Sequence, residues 1–251
     1  MKYDIKEIDK WEAPKEDGVA ILTMPNIPLP CHKLCPRTID PKAWEKMRKQ
    51  CYTDANYTCQ ATGVEMGKGH LHGHELYDID WKNCTMTFKR AVALDPRLHS
   101  RFIHSGRALT MFERGDKYFP KEALLDTLEY GFSLINNWNT EHPEAEPLRV
   151  STTFLDWAKN PELKDQVNTL IKKYHIKFYD FDKACFNKKN WGKWKLIWEG
   201  REYPTKFATQ KDWEEHFNPK PKDEPPLPKA LSILDSILKE EEENAKKRAE
   251  S

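Results

Sequence analysis

Nine histidines are spread over this chain, and five of them fall between residues 70 and 104. Three stand two apart, in His70-Leu71-His72-Gly73-His74. On a strand alternate side chains share a face, so all three imidazoles can point the same way. Strands normally bury apolar residues there. Clustered imidazoles repel once protonated and are most useful when they coordinate a metal ion or move protons. The plainer alternative is a polar edge facing solvent. A second group, His99-Ser-Arg-Phe-Ile-His104, has its histidines five positions apart, where ligands stacked on one helical face need four. On a regular helix these two project well apart, so both reach one ion only if His99 stands at or before the helix start. A hairpin presenting imidazoles, followed by a helix returning more of them, can enclose one divalent cation at their junction.

The elements that must position these side chains are legible in outline. Residues 69–94 read as a hairpin turning at Asp80-Trp-Lys-Asn83, with a second strand rich in residues that suit a pleated sheet. After Asp95-Pro96 a helix can start and carry His99 and His104. Upstream, Pro25, Pro28, Pro30, Pro36 and Pro41 remove backbone donors, so residues 1–40 read as an extended arm with little structure of its own that lies on something else. From Pro41, Trp44, Met47 and Cys51 stand at i, i+3, i+7, one helical face, with Lys46, Arg48 and Lys49 elsewhere around it.

Further along, Pro120 opens an amphipathic helix from Lys121 to about Asn137, with Leu124, Leu125, Leu128 and Phe132 spaced for burial. A second helix is expected over Pro161 to Tyr174, a strand over His175 to Phe181, and a hairpin over Trp194 to Tyr203 turning at Glu199-Gly200. Thr209 can cap a short helix containing Trp213 and Phe217. The aromatic residues of this half read as core rather than as a base-stacking platform. Proline and charge make 218–228 a linker, and Leu231, Leu234 and Leu238 leave a short apolar stripe on a tail helix that either docks on a partner or frays. The expected organisation is an arm (1–40), a histidine-bearing domain (41–118), a Trp-rich α+β domain (119–218) and a linker with tail helix (219–251).

Bulk properties restrict the partners. The 251 residues carry 41 Lys+Arg against 40 Asp+Glu, a formal charge of +1. That excludes holding nucleic acid by overall charge, so a polyanion must be met by a local patch. Between Pro41 and Thr110 there are 11 Lys/Arg against 7 Asp/Glu, a modest basic excess around the histidines. Twelve percent aromatic residues argue for a folded chain despite a mean hydropathy of -0.85. With no apolar run near the roughly 20 residues that span a bilayer, and no signal-peptide stretch at the start, the expectation is a cytoplasmic protein with no membrane partner. Six cysteines are too sparse for a disulfide scaffold, leaving free thiols or a metal site; Cys31 and Cys35 with His32 are one such clip.

The run His74-Glu75 opening a hairpin, with Ala93-Leu94-Asp95-Pro-Arg97-Leu98-His99-Ser-Arg101-Phe102-Ile103-His104-Ser-Gly106-Arg107 after its second strand, resembles the HNH (ββα-metal) endonucleases, specifically a subgroup common in phage genomes. The segment Leu29-Pro-Cys31-His32-Lys-Leu34-Cys35-Pro36-Arg37-Thr38-Ile39, followed by the basic Trp44 helix, resembles the lead-in of the same subgroup, so the likeness covers roughly residues 29–110. It implies an α+β fold: a ββα-metal core with a C-terminal α+β extension and a helical tail. It also implies hydrolysis of phosphodiester bonds in DNA with one divalent cation (Mg²⁺, Mn²⁺ or a transition metal), in the host cytoplasm if phage-encoded. Carried over, His74 is the general base, and His104 and His99 are metal ligands. His72, where the subgroup places a Glu, is a third ligand or an orienting group, and an imidazole there favours Mn²⁺, Ni²⁺ or Zn²⁺ over Mg²⁺. Asn83, in the hairpin turn, stands for the family's middle Asn and would orient the base. Arg37, Arg97, Arg101 and Arg107 would contact phosphates.

Where the family commonly has two Cys-x-x-Cys pairs holding zinc, this chain has Cys59 with Thr62 and Asp95 with Leu98, so no structural four-cysteine zinc is expected. The interval from His99 to His104 is one residue longer than the subgroup pattern, which would turn His99 by about 100° around a regular helix. The competing reading is a catalytically degenerate module that binds nucleic acid, or a host protein through the arm or residues 229–251, without cleaving.

Overall fold

The computed structural model describes residues 2–181 and 190–217. The chain begins with two short strands, β1 (Ile5–Ile8) and β2 (Lys10–Trp11), and continues through single 3-10 turns at Val19–Thr23 and Leu29–Cys31. Proline limits helix here as expected, yet this arm is a structural component: Ile21, Leu22, Met24, Cys31 and Leu34 are buried. A one-turn helix α1 (Pro36–Ile39) leads into α2 (Pro41–Asp54). The α2 start is well specified, because the Asp40 carboxylate accepts from the backbone N–H groups of Lys42 and Ala43 while Pro41 takes the first helical position. Trp44 is buried on its inner face.

The hairpin follows, as β3 (His72–Asp80) and β4 (Thr85–Leu94), antiparallel with His72 opposite Leu94 and His74 opposite Val92, and a register shift at Leu76/Tyr77. The chain then makes a π-helical turn (Leu98–Ile103), followed by α3 (Ser105–Glu113) and the long helix α4 (Lys121–Glu141). Leu124, Leu128, Phe132 and Ile135 line the buried face of α4. Beyond it come β5 (Val150–Ser151), α5 (Thr153–Trp157), α6 (Lys164–Lys173), β6 (Phe178–Phe181), β7 (Lys195–Trp198) and β8 (Arg201–Pro204). The β7–β8 turn has both central residues, Glu199 and Gly200, at positive φ (49° and 71°), the conformation a two-residue hairpin needs to match strand twist.

Two sheets result. One has five strands in the order β2-β3-β4-β7-β8, with β4 and β7 parallel and the other neighbours antiparallel. The other is a parallel three-stranded sheet, β1-β6-β5. The fold is thus mixed α+β. A large apolar cluster runs from Ala13 through Leu76, Leu98 and Phe102 to Phe132, Trp157 and Phe178, crossing the boundary expected at 118. A smaller one gathers Cys31, Tyr77, Ile79, Trp81, Cys84, Met86, Trp194 and Trp198 on the other side of the hairpin. Four tryptophans of the second half are core residues: Trp157, Trp191, Trp194 and Trp198 are buried, while Trp138 and Trp213 are partly exposed.

By contact the chain divides into residues 1–210 and 211–251. Of the latter, residues 211–217 are described; they form the body of helix α7 (Gln210–Phe217), in which the Trp213 and Phe217 rings are 5.0 Å apart, as i, i+4 spacing requires. The linker and tail helix expected over 219–251 lie outside the described residues. Among the described residues no helix is long and apolar enough to cross a membrane.

Candidate metal centre

Strand β3 sets the first part of the site. His72 and His74 share one face of the pleat, and Gly73 between them turns its Cα to α2. A Cβ on Gly73 would stand 2.6 Å from Arg48 Cγ, so glycine is what allows α2 to approach the strand. His70 lies in the turn before β3, so the three alternating histidines do not share one strand.

The second part comes from the chain reversal after β4. The buried Asp95 carboxylate accepts from the backbone N–H of Arg97 at 2.8 Å and pairs with its guanidinium at 2.7 Å, while the Asp95 carbonyl accepts from His99 N–H. The backbone then widens: His104 N–H donates to the carbonyl of His99 at 3.2 Å, a bond spanning five residues. Here the sequence expectation is corrected. The extra residue between His99 and His104 does not swing His99 aside, because a π turn absorbs it and brings positions i and i+5 into register. The two rings are 4.7 Å apart. Tertiary packing holds the wide turn: Phe102 inserts against Gly131 of α4, where a Cβ would lie 2.3 Å from the ring, and packs on Phe154. Trp157 Nε1–H donates to the Ser105 carbonyl at the start of α3.

Three imidazoles converge. Ligand nitrogens of His74, His99 and His104 all lie within 4.8 Å of one another, and among the described residues this is the group of three or more ligand-type side chains that does so. His99 is the centre of the arrangement, with ring centroids 5.1 Å from His72, 5.0 Å from His74 and 4.7 Å from His104. His74 is 4% exposed, and neither of its ring nitrogens has a hydrogen-bond partner among the described residues; the same holds for Nε2 of His99. Buried polar atoms are nearly always paired, and one nitrogen from each of the three rings converges on a common space, so the lone pairs free there suit an electrophile.

Electrostatics points the same way. Burial drives all three imidazoles toward the neutral form: His74 well below its ordinary value, His99 to about 2 and His104 to about 4. Mutual repulsion and the positive charges of Arg37 and Arg107 add to this. Neutral imidazole is the form that binds metal ions.

The arginines divide into two pairs. Arg37 lies 3.4 Å from the buried Glu75 carboxylate, with its guanidinium 5.4 Å over the Trp44 ring. Burial raises the pKa of Glu75 and Arg37 opposes that rise. With Arg107, Arg37 supplies positive charge acting on the imidazoles. By contrast, Arg97 is tied to Asp95 beneath Tyr130, and Arg101 donates to the Tyr118 carbonyl at 3.2 Å.

Other expected participants lie elsewhere. Asn83 is at the far end of the hairpin, where its backbone and side-chain N–H groups both donate to the Asp80 carboxylate at 2.8 Å; about 20 Å of strand separates Asp80 from His74. It closes a turn and does not reach the imidazoles. Cys31, Cys35 and His32 do not converge as a clip: Cys31 is buried beside Cys84 in the smaller core, and Cys35 Sγ is 2.9 Å from Thr38 Oγ1. At the knuckle positions, Cys59 and Leu98 are both buried in the large apolar cluster, and Asp95 is bound by Arg97. Cys59 and Leu98 thus meet within one apolar cluster. His32 is the residue sequence reasoning placed in the wrong company. Burial holds it at about 4 against the opposing hydrogen bond to the Ile27 backbone, and its protonation would push His104 lower still. Its position within the lead-in segment was the available signal.

Comparison with known proteins finds no matching family model, no matching curated protein and no matching solved structure.

Proposed function

We propose that this protein is a metal-dependent nuclease of the ββα-metal type, hydrolysing phosphodiester bonds in DNA. The observation that carries the reading is the convergence of His74, His99 and His104 at a strand–helix junction, with buried nitrogens left without partners. The donor set is three neutral imidazoles with no carboxylate, a combination that suits Mn²⁺, Ni²⁺ or Zn²⁺ better than Mg²⁺. A divalent ion held there supplies Lewis acidity, polarising a phosphoryl oxygen and making an attacking water more acidic.

The protein's own groups divide the remaining work. His74 serves as the third ligand in place of the general base implied by the family likeness. A base must become imidazolium during the reaction, and this ring is buried, unpartnered and flanked by positive charge, all of which disfavour that state. Three neutral ligands leave the charge of the ion uncompensated, so the site attracts an anion. Arg37, anchored by Glu75 and Trp44, and Arg107 add to that attraction and suit a phosphate.

The test uses the full chain with supercoiled plasmid and each of Mg²⁺, Mn²⁺, Ni²⁺ and Zn²⁺, beside His74→Ala. Nicking by the wild type that the variant loses, together with loss of ion binding, is the expected result. A wild type that binds both ion and DNA but never cuts would establish the non-cleaving binding module instead. A wild type that binds no divalent ion overturns the reading.

A further inference from the structure

His72 stands at the mouth of the cluster, outside the converging three. Its Nδ1 lies 3.1 Å from Nδ1 of His99, and its ring meets that of His99 edge to face at 5.1 Å. The remaining nitrogen of His99, Nε2, is the buried atom without a partner. These two facts leave a choice of tautomers, because a neutral imidazole has one donor and one acceptor nitrogen.

In the first arrangement His72 Nδ1–H donates to His99 Nδ1. His99 then carries its own hydrogen on Nε2, buried with no acceptor and with its lone pair turned away from His74 and His104. In the second, His99 Nδ1–H donates to His72 Nδ1. The His99 Nε2 lone pair is then free within the cluster, and the hydrogen of His72 sits on its own Nε2, on an exposed residue where water can accept it. Within this pair only the second avoids an unsatisfied buried N–H on His99 and leaves its Nε2 lone pair free to act as a ligand.

We infer that His72 is a positioning residue: by accepting the Nδ1–H of His99 it fixes the tautomer and ring orientation that aim His99 Nε2 at the space shared with His74 and His104. Histidine ligands generally hand their outer N–H to a carboxylate, a carbonyl or water. Here a second imidazole takes that place, supplied by the same strand that carries His74. The inference deepens the ion-binding reading above and rests on it for its consequence, but the tautomer is a property of the protein before any ion arrives.

Two measurements on the full-length protein decide it. The first is proton–nitrogen NMR of the histidine rings in metal-free protein at neutral pH, with His99 assigned by substitution. The wild type is expected to show His99 protonated on Nδ1, and His72→Ala to lose that preference. The second is Zn²⁺ and Ni²⁺ affinity by competition with a chromogenic chelator. His72→Ala should weaken binding about 10–100-fold, and His72→Gln, whose side-chain oxygen can accept the same hydrogen, should recover most of the loss. A His99 protonated on Nε2 in the wild type, or ion affinity unchanged in His72→Ala, overturns the inference and leaves the ion site standing. A wild type that binds no ion while His99 keeps its Nδ1–H overturns the functional reading and supports the positioning role of His72.

Discussion

The two ends of the β3–β4 hairpin solve the problem of polar side chains in opposite ways. At the turn end, Asn83 is exposed and bonded twice to Asp80, while Trp81 beneath it is fully buried in the smaller core. There Asn83 and Asp80 satisfy one another and the apolar bulk of Trp81 is hidden, as stability alone requires. At the other end His74 is buried with both nitrogens orphaned, His99 with one, and the positive charges of Arg37 and Arg107 bear on the rings. An unsatisfied buried polar group costs about 1–3 kcal/mol, so this end stores a penalty that a bound ion would remove. One end of the hairpin pairs Asn83 with Asp80, and the other leaves buried imidazole nitrogens unpaired, the feature on which the proposed ion site rests.

The sharpest test of that contrast removes an imidazole. His104→Ala should weaken Zn²⁺ or Ni²⁺ binding by at least about 100-fold, beyond what loss of an outer partner usually costs, as read by chelator competition. Loss of ion binding on Asn83→Ala instead would reverse the assignment of the two ends.

Acid should distinguish the ends next. An imidazole held neutral in the fold binds fewer protons there than in the unfolded chain. Its stabilising contribution is therefore complete above the unfolded value near 6.5 and declines as pH falls below it. For His104 the decline continues to about 4 and for His99 to about 2. Each such group contributes about 1.4 kcal/mol per pH unit across its window. Metal-free protein should lose thermal stability steeply between pH 6.5 and 4, and a melting series in which His104→Gln shows the same slope would refute this.

A smaller effect is expected behind the imidazoles. In Gly131→Ala the new methyl meets the buried Phe102 ring, which has no free space to move into, so overpacking of about 1–3 kcal/mol is set against a helix-propensity gain of about 1 kcal/mol. Denaturant unfolding should show a net loss, and ion affinity should fall with it because Phe102 belongs to the turn joining His99 to His104. If affinity is untouched, packing on α4 does not hold that turn. The smallest change is at the turn end, where Asn83→Ala should cost about 1 kcal/mol or less in the same unfolding experiment and leave ion binding unaltered.

Much of the architecture was legible because it is local. Strand-suited residues and the turn at Asp80–Asn83 gave β3 and β4, the spacing of Trp44, Met47 and Cys51 after Pro41 gave α2, and the apolar spacing of Leu124, Leu128 and Phe132 gave α4, which runs to Glu141 rather than stopping near Asn137. Most of the second half's large aromatic residues are core as read, among them Phe132, Phe154, Trp157, Phe178, Trp191, Trp194 and Trp198, whereas Trp138, Tyr203 and Trp213 are partly exposed. Less legible was the arm, whose prolines predict extended chain but whose Ile21 and Leu22 are core residues, because burial depends on what the segment meets and not on its own conformational limits. Asn83 was linked to the histidines by family likeness, whereas strand length alone places it about 20 Å from His74.

What the sequence by itself determined is the supply of imidazoles: His72 and His74 on one strand face, with His99 and His104 brought back by the next segment. Their period on a strand is a property of the backbone and needs no partner. Only the tertiary structure decided that His99 stands at the centre of the cluster. The conversion of one turn from α to π is a local cost that the sequence cannot price, and it is met by distant contacts, Phe102 against Gly131 and Trp157 on the Ser105 carbonyl. The arrival of Arg37 beside Glu75 and of His32 near His104 is decided in the same way, by packing between segments about 40 to 70 residues apart in the chain.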